Sequence, residues 1–323
     1  MEAPQIILGT ADGVHALRPR SGRPPSGPRR LPSGPVPATH ALAGHAVRSV
    51  VRDGGRLWAI LDARAIWRKE RGGRWREVFT SDRLALHCLL PTPIGLLVGT
   101  SEAHLCRLED GPDGTRVATI PSFELVAGRA TWSTPWGAPA DVRSLSRAAD
   151  GTIYVNVHVG GVARSRDGGR SWRPTMDVAA DAHQVLAHPS APGLVAAATA
   201  VGLAWSPDGG ETWSFRTEGL HATYQRALAF TRDYLLVSVA DDEGGARAAL
   251  YRAPAAAGTP LAPCRDGLPR WFGNHVNTGC LAAEGEFVAL GTADGNVFAS
   301  LDQGTHFELL AQGLPAIKAL ALA

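Results

Sequence analysis

Ser165-Arg166-Asp167-Gly168-Gly169-Arg170-Ser171-Trp172 recurs as Ser206-Pro207-Asp208-Gly209-Gly210-Glu211-Thr212-Trp213, and again as Ser300-Leu301-Asp302-Gln303-Gly304-Thr305-His306-Phe307. The shared pattern is S-x-D-x-G-x-[ST]-[WF], with His306 standing in place of the last hydroxyl. A decayed fourth copy spans Arg68 to Trp75 and ends Gly72-Gly73-Arg74-Trp75. An aspartate at this position accepts hydrogen bonds from turn amides, and the glycine takes a backbone conformation that side chains disfavour. Each copy therefore predicts a stapled hairpin turn closed by an aromatic residue, and turn chemistry accounts for every position without a catalytic role.

Strand-like runs recur along the chain: Ile6 to Thr10, Leu57 to Ile60, Leu96 to Thr100, Ile153 to Val157, Val195 to Thr199, Leu235 to Val239 and Phe287 to Thr292. Their spacing of about 40–57 residues is that of one four-stranded propeller blade. The motif Gly9-Thr10-Ala11-Asp12-Gly13 is repeated as Gly291-Thr292-Ala293-Asp294-Gly295. Six runs are preceded by a second strand candidate, at Val47 to Val51, His87 to Leu90, Val142 to Ser146, Gln184 to His188, Arg226 to Phe230 and Thr278 to Ala282. The first run has none, and the chain ends in Ile317-Lys318-Ala319-Leu320-Ala321-Leu322-Ala323. The pattern predicts an all-β, seven-bladed β-propeller of four-stranded antiparallel blades, a single domain over residues 1–323. The C-terminal strand completes the first blade, which removes an exposed sheet edge.

The octapeptide resembles the Asp-box, or BNR repeat, of sialidases, sortilin-type receptors and photosystem assembly propellers. The chain is also similar to bacterial WD40/YVTN/BNR-like proteins labelled exo-α-sialidase or BNR glycosyl hydrolase for these repeats. The resemblance implies that the boxes occupy turns between third and fourth strands, so that function belongs to the opposite face. Sialidase chemistry needs three arginines, a Tyr-Glu pair and an acidic Asp. Tyr154, Tyr234 and Tyr251 fall in expected strands, no Glu lies near Tyr224, and the N-terminal arginine motif is absent. Sialidase or other glycosidase activity is therefore disfavoured, since a fold does not carry a chemistry with it.

The 323 residues include 37 Gly and 23 Pro, which suits short strands and many turns. A net charge of +2 excludes a nucleic-acid binder of the usual kind, which needs a concentrated basic face. The one basic cluster, Arg18 to Arg30, lies in a Pro/Arg/Gly-rich stretch, residues 18–40, expected to be a solvated surface loop. Cys88, Cys106, Cys264 and Cys280 form no C-x-x-C pair, and no apolar stretch reaches a membrane span. The start of the chain lacks the pattern of a signal peptide. A cytoplasmic protein without membrane or nucleic-acid partners is the expectation.

The connections entering each blade, and those between second and third strands, share one face. Residues expected near the starts of the first strands are Arg48, His87, Arg143, Gln184, Arg226, Asn277 and Lys318. With Trp271 they form the expected ligand-binding set, suited to a small anionic molecule. His158, His183, Tyr224 and His275 are the catalytic candidates, because imidazole moves protons near neutral pH. His87, His158, His183 and His275 are the candidate ligands for a divalent transition metal, iron, copper or zinc, with Asp181 as a supporting acceptor. His158, His183, His275, Tyr224, Arg143 and Arg226 are expected to converge. Trp132 and Trp136 on a long connection, residues 122–140, would wall such a site. The alternative is a non-catalytic propeller that docks a protein partner. Deleting residues 317–323 should strand the backbone groups of Gln5 to Thr10. The melting temperature is expected to fall, and an unchanged value would refute closure by the C-terminal strand.

Overall fold

The computed structural model describes residues 3–19, 38–111, 114–134, 136–255 and 259–323. Its strands, in chain order, are β1 (Ile6–Thr10), β2 (Val14–Leu17), β3 (Ala38–Ala41), β4 (Val47–Asp53), β5 (Arg56–Leu61), β6 (Ala65–Lys69), β7 (Trp75–Thr80), β8 (Leu86–Thr92), β9 (Gly95–Thr100), β10 (Leu105–Gly111), β11 (Gly114–Thr119), β12 (Asp141–Arg147), β13 (Ile153–His158) and β14 (Gly161–Ser165). They continue as β15 (Arg173–Pro174), β16 (Ala182–Ala187), β17 (Val195–Thr199), β18 (Gly202–Ser206), β19 (Ser214–Arg216), β20 (Tyr224–Phe230), β21 (Tyr234–Ala240), β22 (Ala249–Pro254), β23 (Ala262–Pro263), β24 (Leu281–Glu284), β25 (Phe287–Gly291), β26 (Val297–Ser300), β27 (Glu308–Ala311) and β28 (Ile317–Leu322). They make seven four-stranded sheets, each the blade of a β-propeller. Six blades take consecutive strands, and the seventh has the order β28-β1-β2-β3. In it Ile6 to Gly9 pair antiparallel with Leu322 to Ala319. The expected loop over residues 18–40 lies largely outside the described residues, but its last residues belong to β3, paired with β2.

The contacts group the chain into two compact units, residues 1–50 with 217–323, and residues 51–216. In each, the second strands β1, β13, β17 and β25 are buried at every position. A strand packed on both faces reads as an unbroken apolar run, which is why these strands are visible in the sequence. In the first unit the core is built on Leu8, Leu236, Leu290 and Phe307, and in the second on clusters around Val155, Val185 and Ile60.

Neighbouring blades are joined by polar bonds from their first strands. In the second unit the Ser144 and Ser146 hydroxyls accept the Val185 and Ala187 amides at 2.9 Å. Asn156, fully buried in β13, donates to the Ala182 carbonyl at 2.8 Å. In the first unit the Ser238 hydroxyl donates to the Val276 carbonyl and the Thr278 hydroxyl to the Arg226 carbonyl, both at 2.8 Å. Buried polar groups must be paired in this way, because an orphan costs its full desolvation. All four cysteines are free thiols.

The three octapeptides form the β14–β15, β18–β19 and β26–β27 turns, between third and fourth strands. Asp208 Oδ1 accepts the Glu211 and Thr212 amides and the Ser206 hydroxyl, and Oδ2 accepts the Thr212 hydroxyl at 2.6 Å. Asp167 makes the same set. Asp302 keeps the Ser300 hydroxyl and the two amides, the second from His306. The hydroxyls and amides that bind the Asp208 carboxylate hold its pKa at about 2, below its usual 3.8. The stabilisation from the ionised carboxylate is therefore complete above about pH 4 and lost as pH falls toward 2. Asp208→Ala is expected to cost about 1 kcal/mol at neutral pH, and wild type and variant should converge near the acid end. Denaturant unfolding at pH 7 and near pH 2 measures both.

Candidate functional site

Among the described residues, several first strands carry a register shift near their start. The register shifts between Leu86 and Cys88, between Val142 and Ser144, between Ala182 and Gln184, and between Gln225 and Leu228. The extra residue of a bulge is left out of the ladder and its side chain is re-aimed. In the second unit the bulged residues are His87, Arg143 and His183. Gln184, expected at this level, is instead the counterpart of Cys88 and Ser144, one residue further along the strand. In the first unit Arg226 is bulged, and Lys318 occupies the irregularity where Gly9 faces Ala319 and Thr10 faces Ile317. Val47 packs on Gly9 as Val142 packs on Gly99, which puts Arg48 at the same level. Asn277 does not belong to this set. The Gly291 amide bonds the Cys280 carbonyl, so Cys280 corresponds to Cys88 and Gly279 fills the bulge. Asn277, two residues earlier, is the counterpart of Asp141.

In the second unit the bulges bring imidazoles and carboxylates together. His158 ends β13 opposite Asp141. Its Nε2 lies 3.2 Å from Asp181 Oδ1, and His183 Nε2 lies 3.5 Å from Asp181 Oδ2. The two rings are 5.8 Å apart. His183 has no exposed surface and His158 is buried. Burial raises the Asp181 pKa, but the two histidines outweigh it and hold the carboxyl well below its usual range. The backbone is strained on both sides of the cluster. Val159, a β-branched residue directly after His158, has φ 54°, and Asp181 has φ 45°. Left-handed backbone at such residues persists only where the surroundings over-determine it, and it concentrates at functional sites. On the preceding blade His87 Nε2 lies 3.4 Å from Asp141 Oδ1. The Trp136 indole lies beside His158, 5.7 Å between centroids and tilted by 46°, and is 70 % exposed. Trp132 is instead absorbed into packing, against Phe123 at 5.9 Å and the Arg129 guanidinium at 5.3 Å.

The candidate metal set changes accordingly. Among the described residues, His158, Asp181 and His183 form the group of three ligating side chains whose ligand atoms lie within 4.8 Å of one another. Asp181, expected as a supporting acceptor, is a member, and His87 and His275 are not. His275 is buried in the first unit with Nε2 at 3.2 Å from the Glu243 carbonyl. A ring nitrogen facing a carbonyl oxygen carries its proton, so that nitrogen has no lone pair for a metal.

The other first-unit candidates are engaged with each other. Arg226 donates to Asn277 Oδ1 at 2.9 Å and to the Glu243 carbonyl at 3.1 Å, and lies 5.4 Å from the centre of the Tyr224 ring. The Tyr224 and His275 rings are 5.4 Å apart. Trp271 is surrounded by Arg247, Arg265 and Arg270 at 5.3–5.8 Å and by His221 at 4.8 Å. The His221 ring nitrogen Nδ1 is 2.8 Å from the Tyr251 hydroxyl. Lys318 and Arg48 are exposed. The residues that sequence reasoning passed over are the inter-blade links Ser144 and Asn156. Their signal is a polar side chain inside an otherwise apolar strand, as in Ile153-Tyr154-Val155-Asn156-Val157.

No protein-family model and no curated protein matches the chain. Solved structures do. An ancestral GH74 enzyme is similar with a TM-score of 0.60 at 14 % identity, covering 81 % of this chain and 38 % of its own. The GH74 xyloglucanase from Xanthomonas campestris gives 0.59 at 16 %, covering 83 % and 45 %. YCF48 bound to a D1 peptide gives 0.50 at 16 %, covering 81 % and 82 %. The chain thus spans less than half of either GH74 structure, and at these identities the likeness is one of fold alone.

Arg226 ties together two strand starts and a loop of the first unit, so its role there is structural. Arg226→Ala is expected to lose about 1–3 kcal/mol of stability through the hydrogen bonds left unmade. Arg226→Lys should recover only part, because lysine lacks the planar fork. Urea unfolding of the three proteins tests this.

Proposed function

We propose that the protein is a ligand-binding propeller whose working centre is the loop end of the 51–216 unit. The ligand is a small molecule with a flat or apolar body and a polar head. Its body rests on Trp136, and its head meets the group formed by His158, Asp181 and His183. Arg143 and His87 flank that group at the corresponding level of the two preceding first strands. The observation that carries this reading is a largely exposed indole, tilted against a buried imidazole that itself faces a carboxylate. Binding sites combine an apolar wall with a few convergent polar groups in this manner, and loops on a rigid scaffold are their usual location.

One observation favours a second reading, the docking of a protein partner. Leu125, Trp136 and Val201 are 83 %, 70 % and 46 % exposed. All three lie in connections at the loop end of this unit. An apolar surface of that kind also suits a peptide, and YCF48 is a propeller of similar fold that binds one.

Trp136 reports on both readings. A library of small carboxylates, phosphates and aromatic acids, screened by thermal shift and by quenching of tryptophan fluorescence, is expected to yield ligands whose affinity falls at least ~10-fold in Trp136→Ala, about 1.4 kcal/mol. Ligands that bind the variant equally well, or a screen with no hit, would overturn the small-molecule reading.

A further inference from the structure

The charges on three consecutive first strands do not suit an anionic ligand as they stand. The level of the bulges in the second unit carries the carboxylates of Asp141 and Asp181 against the single guanidinium of Arg143, beside the imidazoles of His87 and His183. A free anion would approach both carboxylates. Asp181 is also poorly served by its neighbours. Its contacts to His158 and His183, at 3.2 and 3.5 Å, are long for hydrogen bonds to a carboxylate, which close to about 2.7–2.9 Å. Oδ1 is buried and accepts no well-directed hydrogen bond. The 3.2 Å spacing matches another arrangement, and the ligand atoms of all three residues lie within 4.8 Å of one another. Two ligands, each about 2.1 Å from one ion, lie about 3.0–3.4 Å apart at octahedral to tetrahedral angles.

We infer that His158, Asp181 and His183 form a mononuclear site for a divalent first-row transition metal, bound through the two Nε2 atoms and an Asp181 oxygen. The inference rests on the reading of this group as the working centre. Two imidazoles and one carboxylate are a borderline donor set that suits zinc, cobalt or ferrous iron and disfavours magnesium and calcium, which take oxygen ligands. Three protein ligands leave further positions open, as in catalytic rather than structural metal sites. The bound dication adds two positive charges beside the carboxylates. The anionic head then has a partner, beside Trp136. The left-handed backbone at Val159 and Asp181 acquires a purpose, because it turns two of the three ligands inward from the ends of their loops. The site draws its ligands from adjacent blades, β13 on one side and the approach to β16 on the other. The fold therefore presets the spacing before any ion arrives, which lowers the ordering cost of binding.

Cobalt(II) is the probe, because its d–d absorption reports coordination directly. The full chain, stripped with chelator, is expected to bind one Co2+, to show visible absorption bands, and to release the ion to Zn2+ but not to Mg2+. Asp181→Asn and His158→Gln alter groups with some exposure and keep side-chain size, and each should weaken Co2+ binding at least ~10-fold with the melting curve retained, about 1.4 kcal/mol. His306→Gln, which removes an imidazole of the other unit, should leave the titration unchanged. A folded wild type that takes up no Co2+ or Zn2+, or Asp181→Asn and His158→Gln proteins that bind as wild type does, would overturn the site. The titration needs no organic ligand. One bound Co2+ beside an empty ligand screen therefore refutes the ligand reading alone, and ligands bound by a chain that takes up no metal refute the metal site alone.

Discussion

At Gly9, Gly99 and Gly291 an added methyl group would land 2.5 Å from Val47, Val142 and Ile317, each on the first strand of the next blade. No real side chain tolerates that separation, so these blades approach as closely as they do only because a residue at the end of the second strand has no Cβ. The residue that follows is threonine each time. The Thr10 hydroxyl donates to the Gly13 carbonyl at 3.0 Å and the Thr100 hydroxyl to the His104 carbonyl at 3.2 Å, which closes the turn above the contact. In β17 the Thr199 hydroxyl closes its turn in the same way, on the Gly202 carbonyl at 2.7 Å. The Gly-Thr repeat visible along the chain is thus the trace of a packing constraint between blades and a hydrogen bond within a turn.

Where that contact is present, the bulge lies directly beside it. The β-branched residue that fills the glycine's space immediately precedes the bulged residue, Val142 before Arg143 and Ile317 before Lys318. Anchoring one side chain against the neighbouring blade leaves the next residue out of register, and its side chain turns toward the loop end. After the bulge the chain re-enters the ladder, and the next residue reaches sideways, as Ser144 does to Val185 and Cys280 to Ile317. One close approach therefore sets three successive roles: a packing residue, a site residue and an inter-blade link.

The two units use this device differently. In the first, Arg226 is engaged by Asn277, Glu243 and Tyr224 through its terminal nitrogens, with Nε left without a hydrogen bond, and Trp271 is lined by three arginines. In the second, His158, Asp181 and His183 remain at distances longer than good hydrogen bonds, over strained backbone and beside an exposed indole. Residue type does not separate these outcomes. The separation comes from which partners are within reach: Asp181 meets imidazoles at 3.2 and 3.5 Å, whereas Arg226 meets an amide oxygen and a carbonyl at 2.9 and 3.1 Å.

The sequence by itself determined the repeat, the strands and the turns. Turn chemistry and unbroken apolar runs are local, so Asp167, Asp208 and Asp302 announce their hairpins, and the C-terminal run announces its pairing with Ile6 to Gly9. The first strands were placed to within a few residues, but their bulges were not visible. A bulge depends on a contact with another blade, and one residue of slip turns a side chain to the other face. That is why the aligned starts of the first strands put Gln184 beside Arg143, where the bulge holds His183, and put Asn277 there although it corresponds to Asp141. The histidines were legible as candidates by type and by loop. Only the tertiary structure decided that His158 and His183 share Asp181, that His87 faces Asp141 and that His275 faces a carbonyl, because those pairings are distances between blades, and no local pattern encodes them.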